Sequence, residues 1–209
     1  MRRRNARCCR PPLCKSLTGV YPYIVAEAKN YEVVIPYFHV QLGDGTQRKS
    51  WLVQPSNTGI GDAMRVRTET VSQSLGCGVP PRVRVMTSVA GIGNPMVQGT
   101  PVYFQTQAED GLMVDACTES AGGNRVVYSA GGSCEGIAPT TSWFQLSSNN
   151  PDQAFIMLGN KLTPTTSDGR VLRALATLSE GEYELAWRQP ASTEGFPVTI
   201  TLVANVTSG

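Results

Sequence analysis

The stretch Met64-Arg65-Val66-Arg67-Thr68-Glu69-Thr70 alternates apolar or threonine positions with charges, and a period of two is what a half-buried β-strand imposes on a sequence. The same period returns at Val83, Val85, Thr87 and Val89, with Arg82, Arg84 and Met86 facing the other way, after a crisp Pro80-Pro81 start. It is cleanest near the end, where Val198, Ile200, Leu202, Ala204 and Val206 oppose Thr199, Thr201 and Asn205 and predict a strand inside a sheet. Tyr31-Glu32-Val33-Val34-Ile35-Pro36-Tyr37-Phe38 is β-branched and aromatic, and its proline predicts a strand that stops or reaches a sheet edge there.

Shorter strands are expected at residues 102–104, 125–128, 142–146, 154–158 and 183–187. Turn residues such as Gly43-Asp44-Gly45, Gly122-Gly123-Asn124 and Gly131-Gly132 separate the strands. Residues 171–178 stay open: Val171, Leu175 and Leu178 fit a helical face, whereas Leu172, Ala174, Ala176 and Leu178 fit a strand. Glycine and proline together number 35 and charged residues are 16% of the chain, a balance that favours many short strands over long helices. The expected class is all-β, an antiparallel jelly roll or β-sandwich of about ten to twelve strands.

Charge is unevenly placed. Arg2, Arg3, Arg4, Arg7, Arg10 and Lys15 all precede the first acid, Glu27, so the formal charge of +2 divides into a basic arm and a mildly acidic remainder. Such an arm, over residues 1–18, can neutralise phosphates and bind RNA without sequence preference. Its Pro11-Pro12 follows the arginines where a secretory leader would have an apolar core, and no apolar run nears the roughly 20 residues of a membrane span. The expectation is a soluble chain without a secretion signal.

Chemistry is sparse. Hydrolytic triads and dyads need an imidazole beside a nucleophile, and the chain has one histidine, His39, read as a surface or interface residue with a pH-sensing role as the sharper alternative. Glu109-Asp110 and Glu180 with Glu182 flank glycines and read as solvated turn charges. Asp44, Asp62, Asp110 and Asp168 do not form a calcium-loop spacing, and Cys8, Cys9 and Cys14 lack a second Cys or His pair for zinc, so neither a metal nor a cofactor is expected. Gly91-Ile92-Gly93-Asn94-Pro95 lacks the Lys-Ser/Thr of a phosphate loop and reads as a connection between strands. A disulfide between Cys117 and Cys134 would close a Gly-rich loop in an oxidising compartment; in a reducing one both stay thiols, and the spacing leaves the two open.

Taken in order, Gly19-Val20-Tyr21, Tyr31 through His39, Met64-Arg65-Val66-Arg67, and Val79-Pro80-Pro81-Arg82-Val83-Arg84-Val85-Met86-Thr87-Ser88-Val89-Ala90-Gly91 resemble the back half of the jelly roll in picorna-like virus capsid proteins. The resemblance covers residues 19–108 and implies a jelly-roll-like domain there. Either its front strands belong to a longer chain, or the fold is complete with C-terminal strands filling the second sheet. Residues 109–209 would then form a second β domain, which in some related capsid proteins projects outward, with Trp143, Phe144, Tyr183 and Trp187 as candidates for a binding face and, for Tyr183 and Trp187, the core as the alternative. The resemblance implies a non-enzymatic coat subunit of an icosahedral RNA virus. Its partners would be copies of itself and other capsid subunits, RNA at the arm and a host receptor at 109–209, in the virion and in host cytoplasm during assembly. The same composition suits a carbohydrate- or protein-binding β-sandwich of the lectin or adhesin kind.

Overall fold

Alternation of apolar and polar side chains becomes twelve antiparallel strands in the computed structural model, which describes residues 23–27, 30–56, 60–69, 80–88, 91–119, 123–137 and 142–204. In chain order they are β1 (Asn30–Gln41), β2 (Gln47–Leu52), β3 (Arg65–Thr68), β4 (Val83–Met86), β5 (Tyr103–Gln107) and β6 (Met113–Thr118). There follow β7 (Val126–Ala130), β8 (Phe144–Ser148), β9 (Lys161–Thr166), β10 (Val171–Ala176), β11 (Glu182–Arg188) and β12 (Phe196–Ala204).

Six of them close into a ring: β1 pairs with β2, β2 with β3, β3 with β11, β11 with β10, β10 with β12, and β12 returns to β1. Closure leaves no free strand edge inside the ring, which removes the usual template for unwanted pairing. β4 joins the first part of β1 and carries β5, β6 and β7 beyond it, while β9 joins β12 and carries β8. Bridges at Ala63–Val127 and Arg125–Ala186 draw the β7 side back against the ring, and one at Val102–Phe144 joins the two outer groups to each other. The result is a barrel-like antiparallel β-sandwich, the all-β class expected from the strand pattern.

Phe38, Val40, Leu52, Val66, Val83, Val85, Phe104, Leu172, Leu185, Trp187, Val198 and Ile200 all point inward and form one continuous apolar core. Within it the Phe104 and Phe144 rings lie edge-on at 4.9 Å, and Phe144 meets Trp187 at 6.0 Å. The turn into β12 depends on Gly195, whose φ of +69° and whose absent Cβ, which would lie 2.6 Å from the Ala174 carbonyl oxygen, exclude other residues.

Three expectations are corrected. β1 does not stop at Pro36: pairing with β12 runs unbroken from Val34 to Val40. On its other side β1 meets β4 up to Val34 and β2 from Tyr37, so the proline, which has no N–H to give, falls in the interval between two partners. Residues 154–158 form isolated bridges at Phe155 and Met157 instead of a strand.

The division at 108/109 into two β domains also gives way, because it cuts the β5–β6 hairpin and because β11 and β12 complete the ring begun by β1 to β3. Residues 171–178 resolve as strand β10, with Leu172 and Ala174 buried and Leu178 exposed in the following turn.

Phe38→Ala empties a fully buried site on the shared strand and is expected to lower the unfolding free energy by about 3–5 kcal/mol. Urea unfolding of the variant and parent, followed by circular dichroism and tryptophan fluorescence, should give one coincident transition in each. Two separated transitions would show that the C-terminal half folds apart.

Candidate binding face on the outside of the ring

Side chains that alternate with the core residues of β1 and β2 point outward, and cross-strand register lines them up in rows. One row runs Lys161 (β9), Thr201 (β12), Tyr37 (β1), Trp51 (β2), Arg67 (β3) and Glu182 (β11). A second, parallel row is Thr199, His39 and Lys49.

The Tyr37 and Trp51 rings pack at 3.9 Å, tilted by 51°. The Lys49 ammonium sits 4.0 Å from the centre of the Tyr37 ring and 5.4 Å from that of Trp51, so the rings hold the cation in place through their negative faces. Trp51 is only 7% exposed as a result. At one end Glu182, almost buried, pairs with Arg67 at 2.9 Å and Arg65 at 3.4 Å. At the other end Lys161 donates to Gln47 Oε1 at 2.5 Å.

His39 Nε2 lies 2.8 Å from Thr201 Oγ1. Partial burial, reinforced by the charges of Lys161 and Lys49, holds the imidazole pKa below the ordinary histidine range. A hydroxyl beside an imidazole is half of a nucleophilic pair, but Thr201 stands in the interior of a sheet, where neighbouring amides are spent on the ladder and none is free to form an oxyanion hole. What the arrangement offers is a fixed set of cations and hydroxyls on an open strand face.

A second cluster covers the outer side of β5 and β6. The Asp115 carboxylate accepts from Gln105 Nε2 at 2.9 Å and from the backbone N–H groups of Gly132 and Cys134 at 2.8 and 3.2 Å. The Trp143 indole N–H donates to the Cys134 carbonyl at 2.8 Å, and its ring meets Tyr103 edge-on at 4.7 Å. Cys117 and Cys134, 6.3 Å apart at Cα and both buried, are joined as a disulfide. Burial, with the nearby carboxylates of Asp115 and Glu135, pushes the Tyr103 phenol up to about 12.

The six basic residues of the arm, Arg2, Arg3, Arg4, Arg7, Arg10 and Lys15, lie outside the described residues, as do Cys8, Cys9, Cys14 and Cys77. Glu109 and Asp110 are exposed, Asp110 accepting from the Leu112 N–H. Glu182 corrects its reading as a solvated turn charge, since it lies on β11 and is held by two arginines. Gly93 N–H and Asn94 N–H are bonded to the Ala26 and Gly91 carbonyls, so that loop does not present them to an anion. Trp143, Phe144 and Trp187 are buried and Tyr183 packs against the core, which removes them as a binding face.

The face formed by Tyr37, Lys49, Trp51 and Lys161 was not anticipated. Lys49-x-Trp51 has the right i, i+2 spacing, but Lys161 joins only through the β9–β12–β1 register.

No protein-family model matches the chain, and no curated protein matches it. Among solved structures, a crystal structure of cytolethal distending toxin from Actinobacillus actinomycetemcomitans is similar over 83% of this chain and 94% of that chain, at 11% identity and a TM-score of 0.41. A likeness of that degree carries nothing about function.

Replacing Cys117 and Cys134 together by serine releases a loop of 17 residues and is expected to lower stability by about 3 kcal/mol. Denaturant unfolding of the double variant tests this; an unchanged midpoint would mean that Asp115 and Trp143 hold the loop without the bond.

Proposed function

We propose that the chain is a coat-protein subunit that assembles with copies of itself, and with related subunits, into an icosahedral shell enclosing RNA. The observation that carries this reading is a pair of exposed apolar surfaces at different places on a closed scaffold. One is an open groove of about 540 Å³ at the β5–β6 turn, where Ile60, Leu112 and Met113 are 63%, 67% and 41% exposed. The other joins Val97 and Phe155, 50% and 38% exposed, with the Tyr23 ring 5.8 Å from that of Phe155.

The two surfaces share no residue, one lying at the β5–β6 turn and the other at the Val97–Phe155 bridge. A subunit in a closed shell meets several neighbours through different patches, and such patches place apolar groups at the centre of polar rims. The low charge content keeps the cost of desolvating those faces small.

On this reading the arginines of the arm neutralise RNA phosphates on the inside, and loops from residues 109–209 are the surface offered to a host receptor. The subunit would be found in virions and, during assembly, in host cytoplasm. A buried disulfide suits a particle that must persist outside the cell. The second reading, a β-sandwich that binds carbohydrate, is favoured by the outward row of Tyr37, Lys49 and Trp51.

Electron microscopy and sedimentation of the full-length protein separate the two. The coat reading expects regular shells that shield RNA from nuclease, broken down to smaller species by Leu112→Glu with Met113→Glu or by Val97→Glu with Phe155→Glu while circular dichroism is kept. A protein that stays monomeric at high concentration, with or without RNA, would contradict it.

A further inference from the structure

We propose that the outer face of β9, β12, β1 and β2, at His39, Lys49 and Lys161, binds the sulfate groups of an anionic polysaccharide. The site does not depend on whether the chain assembles, and it shares no residue with either apolar surface.

Neither of its lysines is paired with a carboxylate among the described residues. Arg65, Arg67, Arg125, Arg170 and Arg188 each have a carboxylate within 4 Å, whereas among the described residues none lies that close to Lys49 or Lys161. Both ammonium groups are nevertheless positioned, Lys49 by the Tyr37 ring and Lys161 by the Gln47 amide oxygen. Holding two like charges beside an imidazole without a counter-charge is unfavourable in the free protein and becomes favourable once an anion arrives.

The Thr199 hydroxyl stands opposite His39 across the β1–β12 pair, buried at its oxygen and without a hydrogen-bond partner among the described residues. Its burial keeps it out of reach of a ligand on this face, so the contacts fall to the two ammonium groups and the imidazole. A sulfate ester, always ionised and able to accept from several donors at once, matches two positioned ammonium groups beside an imidazole.

The aromatic rings decide between a sulfated chain and RNA. Single-stranded RNA is usually held by stacking its bases on open aromatic faces. Here the Tyr37 face is occupied by Lys49 and Trp51 is nearly buried, so the face offers charge and hydroxyls but no stacking platform.

His39 makes the site pH-sensitive. Lys49 on β2, Lys161 on β9 and Tyr37 on β1 face it, and β12 contributes the uncharged Thr199 and Thr201. Partial burial and the lysines hold its pKa below the ordinary histidine range in the free protein; a bound sulfate offsets the lysine charges and favours the protonated ring. By linkage, binding tightens as pH falls.

His39 is the chain's single histidine, so its ring signals in an NMR titration of the full-length protein report this face even though the basic arm also attracts polyanions. A heparin-type sulfated oligosaccharide should raise the His39 pKa by about one unit, equivalent to about tenfold tighter binding to the protonated form. Lys49→Gln and Lys161→Gln should each weaken binding and lift the pKa of the free protein, with circular dichroism unchanged. His39→Gln should still bind but lose the pH dependence. The proposal is overturned if the desulfated oligosaccharide shifts His39 equally, if poly(U) RNA shifts it and the sulfated chain does not, or if the sulfated chain binds with His39 unmoved and both lysine variants unaffected.

Discussion

The structure depends on β1 being hydrogen-bonded on both sides along most of its length. One side is given wholly to β12, from the far end of the chain, while the other is shared between β4 and β2. This single strand therefore closes the ring and anchors the sheet of β4 to β7. Pro36 is tolerated only because it sits where one partner has ended and the next has not begun. Moved by one residue, the register would turn Phe38 and Val40 out of the core and bring Tyr37 and His39 into it.

The same register makes the outer face. With Phe38, Val40 and Ile200 committed inward, Tyr37, His39, Lys49 and Thr201 have nowhere to point but outward, and the pairings bring together groups 162 residues apart. Charges on that face sort by position. Arg65 and Arg67 of β3 share Glu182 of β11, leaving the two lysines at the opposite end without a carboxylate partner among the described residues. Fold and candidate site are thus two consequences of one pattern of strand pairing.

Strands with clean alternation were legible in the sequence, as β3, β4 and β12 show, and so was the all-β class. β2 was not, because Gln47-Arg48-Lys49-Ser50 reads as polar loop until its partners cover Ser50 from both sides. β9 was hidden by Pro164 in mid-strand. The boundary at 108/109 followed the extent of the resemblance, which is silent about β11 returning to β3. Cys117 and Cys134 were visible as a pair that could close a loop, but bonding requires the backbone to bring them within reach, which spacing does not encode.

Native-state amide hydrogen exchange of β1 tests the central claim most directly, because protection there measures whether one strand holds both halves together. If it does, the amides of Phe38 and Val40 and those of Ile200 and Leu202 should exchange only through global unfolding, with the same free energy and the same dependence on denaturant. Exchange of β1 through a smaller opening that leaves β10 to β12 protected would contradict the closed ring.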